Sequence, residues 1–312
     1  MKKGKILFID TAHVELTNIL ISQGFICNYF DDFGREDFIK IAHEYIGIIV
    51  RSKIILDAEF LCHCTNLKFI GRVGAGMENI DVDYAQRNDI ICLNAPEGNR
   101  DAVGEQAIGM LLTLFSNLII ADNEVRNGVW IREGNRGYEL GGKTIGIIGY
   151  GNTGGAFAKK LVGFDVNVLA YDKYKNNFSD EFVVESTMDE VFKQSDIVSL
   201  HIPLTDETKY LVDTEFINRF EKNIYLINTS RGSVLRTSDL VLSLREGKVL
   251  GACLDVLEYE GLSFENVVLP DDFKNLISLR NVVLSPHIAG WTHESGYKMA
   301  VTLAKKIASL NL

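Results

Sequence analysis

Residues 144–161 read TIGIIGYGNTGGAFAKKL. An apolar run ends at Gly149, the spacing GxGxxG follows, and a run rich in Ala and Lys begins at once. No other stretch limits the possible folds as tightly. A short, wholly apolar run bounded by glycine fits a strand buried on both faces, as in a parallel sheet. Gly149 permits a tight turn, Gly151 lets the backbone approach a pyrophosphate, and Gly154 lets the helix pack on the strand. The helix would then turn free N–H groups and its positive end toward the phosphates. Read alone, the letters also fit a glycine-rich turn without a ligand.

Asp172 ends the next apolar run, NVLAYD, 18 residues after Gly154. An acidic side chain about 20 residues past the glycines accepts hydrogen bonds from the adenosine ribose. A carboxylate there repels a 2′-phosphate, so NAD is expected rather than NADP, although Lys173 and Lys175 stand close by.

The rest of the chain repeats the strand–helix theme. KILFID, GFICNYF, YIGIIV, LKFIGRV and IICLNA are the apolar runs before residue 96. Amphipathic segments such as REDFIKIAHEY and DAEFLCHC separate them, a pattern of parallel strands with crossover helices. Pro96, Gly98 and Asn99 punctuate the chain, and one long helix is expected from about Asp101 to Asn127. From Lys143 a second series runs through TIGIIGY, NVLAYD, DIVSLHI, NIYLIN, GACLDV and NVVLS, and an amphipathic helix closes the chain at about 292–310. The expected class is α/β, with two doubly wound parallel-sheet domains.

Other classes fit less well. At 312 residues with 46% hydrophobic and 24% charged side chains, the chain reads as globular. A net charge of −10 disfavours nucleic acid and anionic membranes as partners. MKKGKILFID opens like a signal peptide, but its apolar run stops at Asp10, short of an h-region of roughly 7–15 residues. AIGMLLTLFSNLIIA, 107–121, is shorter than the ~18 residues of a membrane span. A helix apolar on nearly all sides is better buried between domains or subunits. Cysteines at 27, 62, 64, 92 and 253 are odd in number and irregular in spacing, so a reduced, cytoplasmic protein is expected. Cys62-His63-Cys64 has diverging neighbours and no second ligand pair, so no metal is expected.

Three later strands carry the chemistry. NIYLIN is followed by Thr229, Ser230 and Arg231; GACLDV by Glu258 and Glu260; NVVLS by His287. In an open α/β sheet the carboxyl ends of the strands share one edge, where ligands bind. A nicotinamide exchanges hydride, but a hydroxyl must also lose or gain a proton, and histidine suits that task. Glu260 would orient the ring, and Arg231 could hold a substrate carboxylate through paired hydrogen bonds. Taken alone, His287 fits equally well as a satisfied turn histidine.

With these motifs in view, the chain resembles the D-isomer-specific 2-hydroxyacid dehydrogenases, most of all the 3-phosphoglycerate dehydrogenases. The resemblance rests on RVGAGMENID (72–81), IGYGNTG, HIPLTDET (201–208), INTSRGS (227–233), GACLDVLEYE (251–260) and SPHIAG (285–290). It implies a flavodoxin-like substrate domain of 1–98 plus 288–312 and a Rossmann cofactor domain of 99–287. It puts the catalytic arginine, glutamate and histidine on Arg231, Glu260 and His287. Cofactor contacts fall on Gly149, Gly151, Asn152, Thr153, Gly154, Asp172, Ile202, Pro203, Thr208, Thr229, Ser230, Asp255 and Gly290, with Asp255 toward the nicotinamide amide.

The backbone at Gly74, Ala75 and Gly76 resembles the family's carboxylate-binding turn. Arg51 and Arg72 match basic positions of the phosphoglycerate enzymes, and Arg132 resembles an arginine lent to a neighbouring subunit. The substrate implied is 3-phosphoglycerate, oxidised to 3-phosphohydroxypyruvate on the way to serine. The resemblance also implies a homodimer built on the helix after Asn99. No regulatory extension follows residue 312, so serine feedback through one is not expected. Glycerate, hydroxypyruvate or lactate dehydrogenases share the same trio, and a dinucleotide-sensing protein shares the fold. The chain departs from the family at Gly261, which stands where a proline is usual, and at Thr153, where a larger apolar residue is usual. GLSFENVVLPDDFKNL also lengthens the link from Glu260 to His287.

Overall fold

The computed structural model describes residues 3–261 and 270–312. They form two compact units, one of 3–99 with 291–312 and one of 100–261 with 270–290. Most of the lengthened link between Glu260 and Asp271 lies outside the described residues.

The first unit is built on five parallel strands: β1 (Gly4–Phe8), β2 (Phe25–Tyr29), β3 (Gly47–Val50), β4 (Phe69–Arg72) and β5 (Ile91–Leu93). Their order is β2-β1-β3-β4-β5, one of the two common doubly wound orders. Its helices are α1 (Val14–Ser22), α2 (Arg35–Ile41), α3 (Ala58–Leu61) and α4 (Val82–Arg87). Asp57 and Asp81 each accept a backbone N–H at a helix start, which fixes α3 and α4 by their caps. Alternation along the strands divides the core. Leu7, Ile48, Val50 and Ile70 pack on one face; Ile6, Phe8, Ile49 and Phe69 pack on the other, with Met299, Leu303 and Ile307 of the final helix.

The expected single helix after Asn99 differs from what forms. Helix α5 (Pro96–Phe115) begins earlier, with proline at a first-turn position that needs no N–H. Gly98 sits inside it because a Cβ would lie 2.5 Å from the Met299 backbone nitrogen. The chain then breaks at Asn117, whose φ of 53° is left-handed, and α6 (Leu118–Arg126) follows at a 61° bend. No single described helix is long and apolar enough to cross a membrane; α5 and α6 reach that length and composition only across the bend.

The second unit holds β6 (Thr144–Ile148), α7 (Asn152–Lys160), β7 (Asn167–Tyr171), β8 (Val184–Glu185), α8 (Met188–Gln194) and β9 (Ile197–Leu200). It continues with α9 (Thr214–Asn218), β10 (Ile224–Asn228), α10 (Thr237–Glu246), β11 (Val249–Leu254), α11 (Asp271–Ile277) and β12 (Val282–Leu284), and helix α12 (His293–Ala308) returns to the first unit. The seven strands run β12-β11-β10-β9-β6-β7-β8, parallel throughout. The two-residue edge strand β8 has too little pattern to be read from sequence. The order reverses between β6 and β9, so a crevice opens outside their carboxyl ends. Residues of α5 from Ala107 to Phe115 cover one face together with Phe157 of α7.

Candidate active site

The glycine loop forms as its spacing requires. Gly149 has φ 95°, and a Cβ on it would lie 2.5 Å from the His201 carbonyl oxygen at the end of β9. A Cβ on Gly154 would lie 2.1 Å from the Gly149 oxygen, so only glycine lets α7 seat on the turn. Gly151 is the N-cap of α7, and a Cβ there would meet nothing within 4 Å. Space therefore remains in front of a helix start whose first N–H groups have no intrahelical acceptor. On β10's end, the Thr229 hydroxyl is buried and makes no hydrogen bond among the described residues. An open cradle and an orphaned hydroxyl on the same sheet edge fit a dinucleotide.

Asp172 stands at the end of β7, but its carboxylate is more occupied than the sequence suggests. It accepts the N–H groups of Tyr150 (2.8 Å), Tyr174 (2.9 Å) and Lys175 (3.0 Å). A carboxylate offers about four acceptor positions, so room for a ribose hydroxyl remains. Its first effect is to tie the glycine loop to the turn after β7. Lys175, a cation beside the expected ribose site, donates to the Tyr150 carbonyl at 2.9 Å.

Ile202 lies against the glycine loop, its Cγ2 2.9 Å from where a Gly149 Cβ would stand. Thr208 closes its own loop, donating to the Pro203 carbonyl at 2.7 Å and accepting from the Thr205 N–H at 2.8 Å. Asn152 is exposed on the first turn of α7, and Thr153 is half-buried beside it.

Two of the catalytic candidates meet. His287 Nδ1 lies 2.6 Å from Glu260 Oε2, both largely buried. The lengthened link does not loosen this pair, for a local reason. Glu260 Oε1 also accepts the Leu257 N–H at 2.5 Å, and the Glu260 N–H donates to the Leu257 carbonyl at 3.2 Å. The turn before Glu260 thus helps to fix the carboxylate that His287 meets. Glu258 turns elsewhere and accepts the Thr237 N–H at 2.7 Å.

The strand ends of β10 and β11 touch as well. A Cβ on Gly232 would stand 2.0 Å from the Leu257 carbonyl, so glycine lets the loop carrying Arg231 lie on the loop carrying Glu260. Asn228 shapes that loop: its Oδ1 accepts from the Ser230 N–H and hydroxyl, and its Nδ2 donates to the Arg231 carbonyl. Arg231 is half-buried and donates to the Ser230 carbonyl at 2.7 Å.

Asp255 emerges as the anchor of the histidine. Oδ1 accepts the Ser285 hydroxyl (2.5 Å) and the Ile288 N–H (2.9 Å), and Oδ2 accepts the Ala289 N–H (2.8 Å). The His287 N–H donates to the Asp255 carbonyl at 2.7 Å. These bonds hold His287 at φ 55°, an uncommon conformation outside glycine that the surroundings impose. Burial raises the Asp255 carboxyl above the ordinary value, against the donors that favour its charge. Sequence reasoning gave Asp255 only a nicotinamide contact and missed this supporting task. Gly290 ends the same segment, half-buried.

Two further residues were missed. Ser199 and His201, two apart at the end of β9, point the same way: Ser199 Oγ lies 2.8 Å from His201 Nε2, and His201 Nδ1 lies 3.3 Å from Thr153 Oγ1. Burial depresses the His201 imidazole to about 3. Their two-residue spacing in an apolar strand was the available signal.

In the first unit, Arg51 follows β3 directly and Arg72 ends the adjacent strand β4. Arg51 lies over the Trp291 ring at 4.4 Å. Arg72 is buried, and its guanidinium fills the place where a Gly74 Cβ would stand, at 1.4 Å, which explains that glycine. Ala75 accepts from Asn94 at 2.6 Å, and Gly76 is half-buried on the same turn. Arg132 belongs to the other unit and is exposed.

Known proteins resemble this chain over most of its length. Residues 108–289 match the model of the D-isomer specific 2-hydroxyacid dehydrogenase, NAD binding domain. D-3-phosphoglycerate dehydrogenase of Archaeoglobus fulgidus is 32% identical over 308 residues, 98% of this chain but 57% of that relative. Hydroxypyruvate reductase of Thermotoga maritima is 33% identical over 307 residues, 98% of each. Among solved structures, D-lactate dehydrogenase of Aquifex aeolicus, complexed with NAD and lactic acid, superposes with a TM-score of 0.82 at 27% identity, covering 98% of this chain and 95% of that one.

Proposed function

The chain belongs to the D-isomer specific 2-hydroxyacid dehydrogenases, and on that premise we propose that it interconverts 3-phosphoglycerate and 3-phosphohydroxypyruvate, the first step toward serine. The coarser activity is NAD-dependent interconversion of a D-2-hydroxy acid and a 2-oxo acid. The observation that carries the mechanism is the 2.6 Å contact between His287 and Glu260 on the strand edge that also bears the glycine loop.

NAD, when bound, supplies the hydride acceptor or donor. Gly149, Gly151, Asn152, Thr153 and Gly154 would hold its pyrophosphate and Asp172 its ribose. Ile202, Pro203, Thr208, Thr229, Ser230, Asp255 and Gly290 would line the rest. His287 takes the proton of the substrate hydroxyl during oxidation and returns it during reduction. Glu260 orients the imidazole and stabilises the charge it gains, and Asp255 holds the turn that presents it. Arg231 holds the substrate carboxylate so that the reacting carbon keeps one orientation. Acid–base catalysis of this kind contributes about 10²–10⁴ in rate.

The phosphorylated substrate is supported by Arg51 and Arg72, placed after β3 and at the end of the adjacent β4; the turn at Gly74, Ala75 and Gly76 would offer backbone N–H groups to a carboxylate, and Arg132 would serve a neighbouring subunit. Paired guanidinium bonds suit a phosphate on an otherwise acidic protein. Reduction of hydroxypyruvate is the second reading. It is supported by the likeness to the hydroxypyruvate reductase, whose 33% identity stands beside 32% for the phosphoglycerate enzyme. The test is a panel of 2-oxo acids with NADH, phosphorylated and not. The proposal expects the highest kcat/KM with the phosphorylated acid and a KM at least about 10-fold higher in R51Q. Faster turnover of hydroxypyruvate, with R51Q indifferent to the phosphate, would install the second reading.

A homodimer is proposed on the surface around α6. That helix buries none of its residues, and Leu118, Ile119, Val125 and Trp130 are exposed along it and the following turn. Beside it opens a cleft of about 500 Å³ lined in part by Phe115, Ile120, Ile131 and Tyr225. Sedimentation would show twice the chain mass, and a monomer under assay conditions would refute it. A cytoplasmic location is proposed because all five cysteines are free thiols.

A further inference from the structure

We propose that Ser199 and His201 form a relay that fixes the Thr153 hydroxyl as a hydrogen-bond donor at the start of α7, directed to the cofactor's pyrophosphate. The inference deepens the dinucleotide reading of the glycine loop and rests on it.

The argument begins at Ser199, fully buried in the central strand β9. Its hydroxyl has one bond among the described residues, to His201 Nε2 at 2.8 Å. The His201 ring is buried and packs 5.3 Å from the Phe157 ring, and burial holds the imidazole in its neutral form. A neutral imidazole carries one N–H and one bare nitrogen. Two arrangements are then available. If Nε2 carries the proton it donates to Ser199, and the serine O–H is left without an acceptor in the core. If Nδ1 carries it, Ser199 donates to Nε2 and Nδ1–H donates to Thr153 Oγ1, 3.3 Å away. Only the second arrangement satisfies every buried group.

The consequence falls on Thr153. With its oxygen accepting from His201, its own O–H must donate outward. Thr153 is the second residue of α7, next to the open space before Gly151. That is where an anion is favoured by the helix end. Thr153 thereby adds a side-chain donor to the backbone amides. Ser199 and His201 act through it and are positioning residues.

The test combines ring nitrogen-15 NMR of the full-length protein with NADH titrations. The proposal expects a neutral His201 with its proton on Nδ1, unchanged between roughly pH 5.5 and 8. It expects T153V to bind NADH about 10-fold more weakly and T153S to bind within about 2-fold of the unaltered chain. S199A should weaken binding in the otherwise unaltered chain and add nothing to T153V. A proton on Nε2, undiminished binding by T153V, or an additive S199A would overturn the relay. If the unaltered chain bound no NADH, the dinucleotide reading would fall, and the relay with it.

Discussion

Replacing Gly154 by alanine places the new Cβ 2.1 Å from the Gly149 oxygen and 3.2 Å from its carbonyl carbon. Ordinary contact begins near 3.4 Å, so α7 must withdraw from the turn by about 1.3 Å. Both groups are backbone, and no rotamer relieves the clash. Phe157 and Ala158, 0% and 1% exposed on the same helix, move with it. Overpacking of this kind costs about 1–3 kcal/mol, which is about 2–12 °C of Tm for a unit of this size. The first-turn amides also shift by more than an ångström, and loss of one bond to a charged group weakens NADH binding at least about 10-fold. Gly151→Ala separates the two effects. Its Cβ meets no protein atom within 4 Å, so Tm should hold while NADH affinity falls. Calorimetry and fluorescence titration of both variants decide the matter. An unchanged Tm in G154A would refute the packing argument, and unchanged NADH affinity in G151A would refute the cradle.

Two further outcomes follow from titrating groups. His201 is held neutral down to about 3, whereas in the unfolded chain it gains a proton below its reference value of ~6.5. Its share of stability is therefore complete above that value and lost as pH falls, by about 2 kcal/mol between pH 7 and 5. Chemical denaturation should show the gap between the unaltered chain and H201Q narrowing by that amount; a constant gap would mean the ring is protonated or exposed. Asp255→Asn keeps one acceptor oxygen and turns an NH₂ toward a backbone N–H, a loss of about 2–3 kcal/mol. Because burial raises the Asp255 carboxyl above 3.8, the unaltered chain gains stability from this group as pH falls through the raised value. The deficit of D255N should thus widen from pH 7 toward 4, and a deficit that shrinks would contradict the assignment.

Strand periodicity and glycine spacing made the sheets legible, since each buried strand had to be apolar and each strand end had to turn. The positions of Arg231, Glu260 and His287 followed from the shared edge of a parallel sheet. What sequence could not show was mutual support. Asp255 bonding the turn of His287 joins residues 30 or more apart, and no local pattern marks such a pairing. The bend at Asn117 was hidden because apolar residues continue through it, while Gly98, read as punctuation, serves a close contact inside a helix. Asp172 was found by spacing, but the three amides that occupy it depend on how the loop closes.

The most direct measurement is single-turnover reduction of the preferred 2-oxo acid by His287→Asn with NADH bound. Asparagine tolerates the φ of 55° at this position, so the variant keeps the fold and should bind NADH as before. The account expects the chemical step to slow by about 10²–10⁴. A variant that reduces the acid within a few-fold of the unaltered rate would show that some other group moves the proton.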